Sequence, residues 1–152
     1  MHVVLYEPEI PTSTGNISRT CSVTGTSLHL IKPLGFSTDD KYLKRAGLDY
    51  WEWLDLRFYD NFEHFSRENS GGRFLFATRK IGKYYHQISY QADDYLVFGN
   101  ETKGLPAELL AQNAESCLHI PLAKDRCPLN LANSVGIILY EALRQLGFPN
   151  LQ

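Results

Sequence analysis

Short apolar runs of four to six residues recur along the chain, and longer segments that mix apolar and polar positions separate them. Runs of this length, rich in β-branched and aromatic residues, are typical of buried strands. The pattern predicts six strands, at residues 2–6, 27–31, 55–58, 73–78, 95–99 and 117–122.

The segments between these strands carry helix signals. Pro106 stands where a helix begins, Gly47 where one ends, and Ser37 with Asp40 forms a capping-box pattern. The last segment is the clearest, because its apolar residues recur at spacings of three and four and Pro149 follows it. Helices are therefore predicted over 16–24, 39–46, 60–68, 106–113 and 130–147.

Strands that alternate with helices in this way predict an α/β fold, with a mainly parallel six-stranded sheet and helices on both faces. No shift in composition and no internal repeat divides the chain. We therefore expect a single domain over residues 1–152.

Composition narrows the class of protein. Hydrophobic residues make up 43% of the 152 positions and charged residues 21%, which excludes disordered and low-complexity chains. The longest stretch without a charged residue, 127–140, is shorter than the roughly 20 apolar residues that span a bilayer. The N-terminus lacks the basic start of a signal peptide, so we expect a cytoplasmic protein without a membrane segment.

Cysteine and histidine spacing gives no sign of a metal site. The three cysteines form no CxxC pair, and the five histidines show no HExxH spacing. We therefore expect no disulfide framework and no metal. Cys127 has no His or Asp at a telling distance, so a buried, inert thiol is favoured over a nucleophile.

Charge bears on nucleic-acid binding. The chain has fifteen Lys and Arg residues and seventeen Asp and Glu residues, which gives a net charge of −2. RNA binding would therefore need a local basic patch. Exposed aromatic residues could stack on unpaired bases there, although core burial is the commoner fate of Trp51. The candidate patch contains Lys32, Lys41, Lys44 and Arg45, joined by Arg19, Lys103, Lys124 and Arg126, with Tyr42, Tyr50 and Trp51 as aromatic neighbours.

Ligands of parallel sheets bind beyond the carboxyl ends of the strands, so the loops there are candidate sites. The first loop leads from Tyr6 through two prolines and Gly15 to Asn16, ahead of the helix that bears Arg19. One interpretation is a long turn with Asn16 as the helix cap. The other is an anion loop whose helix amides and Arg19 meet a phosphate.

The second loop, FGNETKGLP at 98–106, has the two glycines of a phosphate loop but lacks its Lys and Ser/Thr. It is either a plain turn with a solvated Glu101, or a turn whose bare backbone approaches a ligand with Glu101 and Thr102 as polar contacts. The third loop, 120–136, contains Asn130 and Asn133, which either cap a helix or line a slot for a planar ligand.

Four segments in this order resemble the motifs of one known family. They are YEPEIPTSTGNISRTC, LHLIKPLGFSTDDKYLKRAGLDYW, FGNETKGLP and IPLAKDRCPLNLANSVGIILYEALRQLGFP. They resemble the SPOUT superfamily of RNA methyltransferases, and within it the small tRNA (cytidine/uridine-2′-O)-methyltransferases that modify the wobble nucleotide. The resemblance covers nearly the whole chain, least over 55–94.

The resemblance implies a C-terminal trefoil knot, a rare exception to the rule against knots. It also implies S-adenosyl-L-methionine as cofactor, a tRNA substrate bound through its anticodon stem-loop, and a homodimer with the active site near the interface. Two other classes stay open: a catalytically idle RNA- or nucleotide-binding relative, and a nucleotide-binding oxidoreductase, which the absence of GxGxxG disfavours.

The resemblance also assigns site residues. Arg19 and Asn16 match the motif that serves the reacting ribose, and Tyr140 is a second candidate participant, although a core position is the better prediction for it. Pro128 has no backbone N–H, so any adenine contact that relatives make through the amide at this position is missing here. The residues assigned to the cofactor are Ala77, Thr78, Gly99, Glu101, Gly104, Ile120, Leu122, Pro128, Leu129, Asn130 and Asn133.

Overall fold

The computed structural model describes residues 1–37 and 53–152, which form a seven-stranded sheet with the order β3-β2-β1-β6-β4-β7-β5. Every strand pair in it is parallel. The strands are β1 (His2–Tyr6), β2 (Ser27–Ile31), β3 (Leu56–Tyr59), β4 (Phe74–Thr78), β5 (Lys83–Tyr84), β6 (Tyr95–Phe98) and β7 (Cys117–His119).

All six predicted strands are present, and the predicted parallel α/β fold is confirmed, but the predicted number of strands is wrong. The seventh, β5, has two residues, too few to show any periodicity in sequence. The strand predicted over 117–122 ends at His119, since Pro121 cannot donate to a sheet.

Within residues 1–37 and 53–152, four α-helices and two complete 3₁₀ turns accompany the strands. Asn61 caps α2 by accepting the N–H of His64 at 2.8 Å, and Asn130 caps α4. The predicted helix over 39–46 lies outside the described residues, as does Asp40 of its capping box. The helices are α1 (Pro11–Thr24), α2 (Phe62–Glu68), α3 (Ala107–Gln112) and α4 (Leu131–Gln145), and the 3₁₀ turns are Tyr85–Gln87 and Ala114–Ser116.

The start of α1 differs most from the prediction. The helix begins at Pro11, whose fixed φ and missing N–H suit a first turn, and not at residue 16. Asn16 therefore lies inside the helix and does not cap it.

Alternation along the central strands builds a core on each face of the sheet. Val3 and Leu5 of β1 pack with Ile17 of α1, whereas Val4, between them in sequence, packs with Phe65 of α2. Helix α4 joins α1 on the first face through its buried stripe of Leu131, Val135, Ile138, Leu139, Ala142 and Leu143. No helix among the described residues is long and apolar enough to cross a bilayer.

A buried histidine lies at the centre of β2. His29 is fully buried, with Nδ1 2.9 Å from the Tyr59 hydroxyl and Nε2 3.1 Å from Nδ1 of His2. Burial lowers the pKa of His29 to about 3. The folded protein therefore holds this ring neutral at a pH where an unfolded chain would protonate it.

This histidine predicts acid sensitivity. Because the pKa of His29 is lowered on folding, its contribution is intact above the unfolded value of 6.5 and is lost as the pH falls below it. We expect about 1.4 kcal/mol of stability to be lost per pH unit there. Urea unfolding between pH 7 and 5 measures this: His29→Gln should flatten the dependence, and His86→Gln, at an exposed position, should not. Equal slopes in the wild type and His29→Gln would contradict the prediction.

Candidate functional site

A cavity of about 750 Å³ lies at the carboxyl ends of β4, β6 and β7. Ala77 and Thr78 end β4, Phe98 ends β6, and Ile120 follows β7, so three neighbouring strands contribute to one wall. This edge is where parallel sheets bind ligands, and the volume is that of a small-molecule pocket.

Ten of the eleven residues assigned to the cofactor by sequence line this cavity. Asn133 does not: it is exposed on α4. The ten are Ala77, Thr78, Gly99, Glu101, Gly104, Ile120, Leu122, Pro128, Leu129 and Asn130.

The second loop folds into a tight turn beside the cavity. The N–H of Gly104 donates to the carbonyl of Asn100 at 3.1 Å, and the Asn100 side chain accepts the N–H of Lys103 at 2.7 Å. Gly104 has φ +74°, and a Cβ there would meet no protein atom within 4 Å. The turn thus presents bare backbone and open space to the cavity.

Glu101 joins this turn to the first loop. Its two carboxylate oxygens accept the N–H groups of Glu9, at 2.9 Å, and Ile10, at 3.2 Å, immediately before α1 begins. The hydroxyl of Thr102 donates to the Glu9 carboxylate. We call this set of contacts the Glu101 clasp. It contradicts the alternative of a solvated Glu101 and fixes the start of α1 to the turn that borders the cavity.

The third loop supplies an apolar part of the lining. Leu122 and Leu129 are 41% and 38% exposed, and the Pro128 ring lies beside them in the lining. Asn130 combines both alternatives given to it: it lines the cavity, and its Oδ1 caps α4 by accepting the N–H of Ala132 at 2.8 Å. Its amide also donates to the Ser13 hydroxyl of α1 at 3.4 Å.

The three cysteines differ in their exposure to solvent. Cys127 is exposed in the third loop, so the predicted burial of its thiol is wrong. Cys21 and Cys117 are buried, and burial raises the pKa of both thiols. No group of three or more His, Cys, Asp or Glu suited to a metal ion occurs within residues 1–37 and 53–152.

The residues assigned to catalysis lie outside the cavity lining. Asn16 and Arg19 are exposed on α1. Tyr140 is 46% exposed on α4, so the core position favoured for it is wrong. Because α1 and α4 pack side by side on one face of the sheet, their outward sides form one surface. We call it the α1–α4 face; its exposed members include Asn16, Arg19, Val23, Asn133, Ile137 and Tyr140.

The predicted RNA patch is only partly described. Lys41, Lys44 and Arg45 lie outside the described residues, as do Tyr42, Tyr50 and Trp51. Lys32 pairs with Asp60 at 3.2 Å, far along the sheet from the cavity edge of β7. Lys103 lines the cavity, and Lys124 and Arg126 are exposed in the third loop.

Sequence reasoning missed one charged segment at the cavity. Arg79, Lys80 and Ile81 line it and are exposed, although the segment was not singled out in sequence. The signal was present as a run of three cations, Arg79, Lys80 and Lys83, followed by two tyrosines.

The cavity has polar and apolar lining residues and lies beside a glycine turn at the carboxyl edge of a parallel α/β sheet. This arrangement is typical of the class of proteins that bind nucleotide-like ligands. Comparison with known families is more specific. The SpoU rRNA Methylase family matches residues 1–140. The chain belongs to this family, as its four motif segments predicted.

Relatives and solved structures agree with this placement. The tRNA (cytidine(34)-2′-O)-methyltransferase of Yersinia pestis is 48% identical over 155 residues, 98% of this chain and 96% of the relative. A structure described as giving insights into 2-OH methylation of C/U34 on tRNA is 44% identical, with a TM-score of 0.91 over 96% of this chain and 95% of that one. An AdoMet-bound rRNA methyltransferase from Sinorhizobium meliloti is 29% identical, with a TM-score of 0.84 over 95% of this chain and 56% of that one.

Proposed function

We propose that this chain transfers a methyl group from S-adenosyl-L-methionine to the ribose 2′-hydroxyl of the wobble cytidine or uridine of a tRNA. One observation carries the proposal: the cavity is lined by ten residues that the motifs assign to the cofactor, in a chain 48% identical to a named tRNA methyltransferase. A tRNA substrate places the activity in the cytoplasm. The trefoil knot implied by the family resemblance stays a prediction.

The cavity suits this cofactor. Ile120, Leu122 and Leu129 offer apolar contacts for an adenosine, and the turn at Gly104 offers backbone groups without a side chain in the way. When bound, S-adenosyl-L-methionine supplies a methyl group carried on a positively charged sulfur. Glu101 is the acidic residue of the described lining, and both of its carboxylate oxygens already accept backbone N–H groups.

Arg19 acts on the RNA. A guanidinium is effectively always protonated in proteins, so it cannot serve as the general base. It can bind the phosphate beside the target ribose through two parallel hydrogen bonds and stabilise negative charge that develops on the attacking oxygen. Orientation of the hydroxyl towards the methyl group and exclusion of water then supply much of the rate.

A second copy of the chain completes the site. Arg19 and Asn16 do not line the cavity of their own chain, and they share the α1–α4 face with the exposed apolar side chains of Val23, Ile137 and Tyr140. An apolar group of this kind on a surface is typical of a protein interface. In a homodimer formed through this face, Arg19 of one chain would reach the cavity region of the other.

The dimer gives a first prediction about assembly. We expect sedimentation velocity at micromolar concentration to show a dimer, and Ile137→Glu to shift it to a monomer, because a buried unpaired charge is costly. Ile137→Glu should lose methyl transfer and keep cofactor binding. Phe58→Glu, which changes an exposed apolar residue on β3 at the far edge of the sheet, should stay dimeric. A wild-type monomer with full activity would contradict the proposal.

The turn gives a prediction about the cofactor. Gly104→Val should weaken S-adenosyl-L-methionine binding more than tenfold, because valine at φ +74° costs about 1–2 kcal/mol and its side chain enters the open space beside the cavity. Gly147→Val is the matched control: Gly147 has φ +75° after α4 and does not line the cavity. Isothermal titration calorimetry with S-adenosyl-L-methionine measures the affinity of both variants. Equal affinities would show that the turn only connects β6 to α3 and does not approach the cofactor.

The function itself is tested with total tRNA from a strain that lacks the modification. The protein and S-adenosyl-L-methionine are added, and the nucleosides are separated by mass spectrometry. The proposal expects 2′-O-methylcytidine or 2′-O-methyluridine, and the same modification in the anticodon fragment when the tRNA is instead cut with a base-specific ribonuclease. Stoichiometric cofactor binding without methylated product, methylation of a base, or absence of cofactor binding would each overturn it; the last result would favour an idle RNA-binding relative.

A further inference from the structure

A cationic and aromatic segment borders the cavity, and the function proposed above does not use it. We call residues 79–86 the β5 lip. Between Glu68 and Asp93 the sequence has no acidic residue, although the whole chain carries a net charge of −2. Arg79, Lys80 and Lys83 are all exposed, so the lip is a local concentration of positive charge on a protein whose net charge is negative.

The lip also presents aromatic rings. Tyr84 is 43% exposed at the end of β5. Its ring lies nearly parallel to that of His86, with centroids 5.8 Å apart and planes at 14°, and 4.9 Å from the His119 ring. Exposed rings of this kind beside cations are what proteins use to stack unpaired bases.

The position of the lip is fixed by the sheet. Tyr84 pairs in register with His119 of β7, and the next residue of that chain segment, Ile120, lines the cavity. At the other end of the lip, Arg79 lines the cavity and donates from Nη2 to the carbonyl of Thr102 at 3.1 Å. The lip therefore lies beside the cavity at the β5 edge of the sheet.

The turn inside the lip is held in place before any ligand arrives. The hydroxyl of Thr78 accepts the N–H of Ile81 at 2.9 Å and donates to the carbonyl of the same residue at 2.7 Å. The N–H of Tyr84 donates to the Gln87 side chain at 3.0 Å. A surface ordered in this way loses little conformational entropy on binding.

We propose that the β5 lip is the docking surface for unpaired RNA nucleotides next to the methylated ribose. Tyr84 and His86 stack on a base, and Lys80 and Lys83 bind backbone phosphates. The choice of RNA rests on the function proposed above, and the charge of the lip is complementary to it. A protein partner is less well matched, since the exposed apolar residues of the lip, Ile81 and Tyr84, are flanked by three cations.

The test uses the full chain and a fluorescent RNA with the sequence of a tRNA anticodon stem-loop, and it measures fluorescence anisotropy without cofactor. Tyr84→Ala should weaken binding about tenfold or more, the scale of one lost base–aromatic stack. Tyr84→Phe should bind like the wild type, because the ring is kept. Phe58→Ala, which removes a 39% exposed ring at the opposite edge of the sheet, should also bind like the wild type.

The salt dependence tests the cations separately. Lys83→Ala should reduce the slope of log affinity against log salt concentration by about 0.7, the value for one phosphate contact of a single strand. Arg67→Ala, at an exposed position on α2, should leave the slope unchanged.

The results separate this proposal from the proposed function. If the wild type binds the stem-loop but methylates no tRNA, the proposed function fails, and the lip is still judged by Tyr84→Ala against Phe58→Ala. Equal RNA affinity for these two variants overturns the lip, and so does absence of RNA binding by the wild type. A change in sedimentation of Tyr84→Ala with unchanged RNA affinity marks a protein contact and also overturns it.

Discussion

Arg19→Ala is expected to lower methyl transfer by about a hundredfold or more, the scale for loss of one preorganised electrostatic contact. Cofactor affinity should stay within about twofold, because Arg19 lies on α1 and does not line the cavity. Single-turnover methylation of tRNA and calorimetry with S-adenosyl-L-methionine measure the two effects separately.

Two companion variants sharpen this prediction. Arg19→Lys should recover little activity, since a point charge cannot reproduce the planar, bidentate guanidinium. Arg67→Ala removes an exposed arginine from α2 and should have no effect on activity. Full activity in Arg19→Ala, or an equal loss of cofactor affinity, would remove Arg19 from the proposed role.

Glu101→Gln is expected to lower kcat/KM roughly tenfold to a hundredfold, the range for losing charge-assisted hydrogen bonds. Glutamine keeps the shape but turns an NH₂ group towards one of the amides of Glu9 and Ile10, so the clasp on α1 opens. Because the clasp works through α1, Glu101→Gln should cost much less in an Arg19→Ala background.

The double mutant distinguishes positioning from direct contact with the cofactor. If Glu101 held the cofactor itself, its loss would weaken cofactor affinity equally in both backgrounds. Thr102→Val is the control, since it removes only the hydrogen bond to the Glu9 side chain and should have a smaller effect. Additive losses in the double mutant would show that Glu101 does not act through the α1 residue.

Sequence periodicity predicted the sheet well because buried parallel strands are continuous apolar runs. It failed for β5, because the two residues of this strand, Lys83 and Tyr84, are both exposed and form no apolar run. Among the described strands they pair only with β7. The start of α1 was also misplaced, because Gly15 and its hydroxyl neighbours look like a loop. In the fold Ser13, Thr14 and Gly15 are buried residues of α1.

The exposure of two apolar residues on α4 could not be predicted from the sequence. Ile137 and Tyr140 are apolar like the core residues beside them, yet they point away from the sheet. An apolar residue that packs in the core and one that packs against a partner chain give the same pattern in sequence. Motif positions fix which loop a residue belongs to, and ten of the eleven residues assigned to the cofactor line one cavity. The partners of Glu101 depend instead on how two distant loops meet.

The place of β7 in the sheet has a consequence for how the protein is made. It lies between β4 and β5, and β5 has no other neighbour among the described strands. During synthesis the ribosome delivers β5 more than thirty residues before β7. This edge of the sheet and the part of the cavity wall that follows β7 therefore assemble late, after contacts that are distant in sequence have closed. A nascent chain that stops before Cys117 would carry the ends of β4 and β6 but not the strand that joins β5 to the sheet.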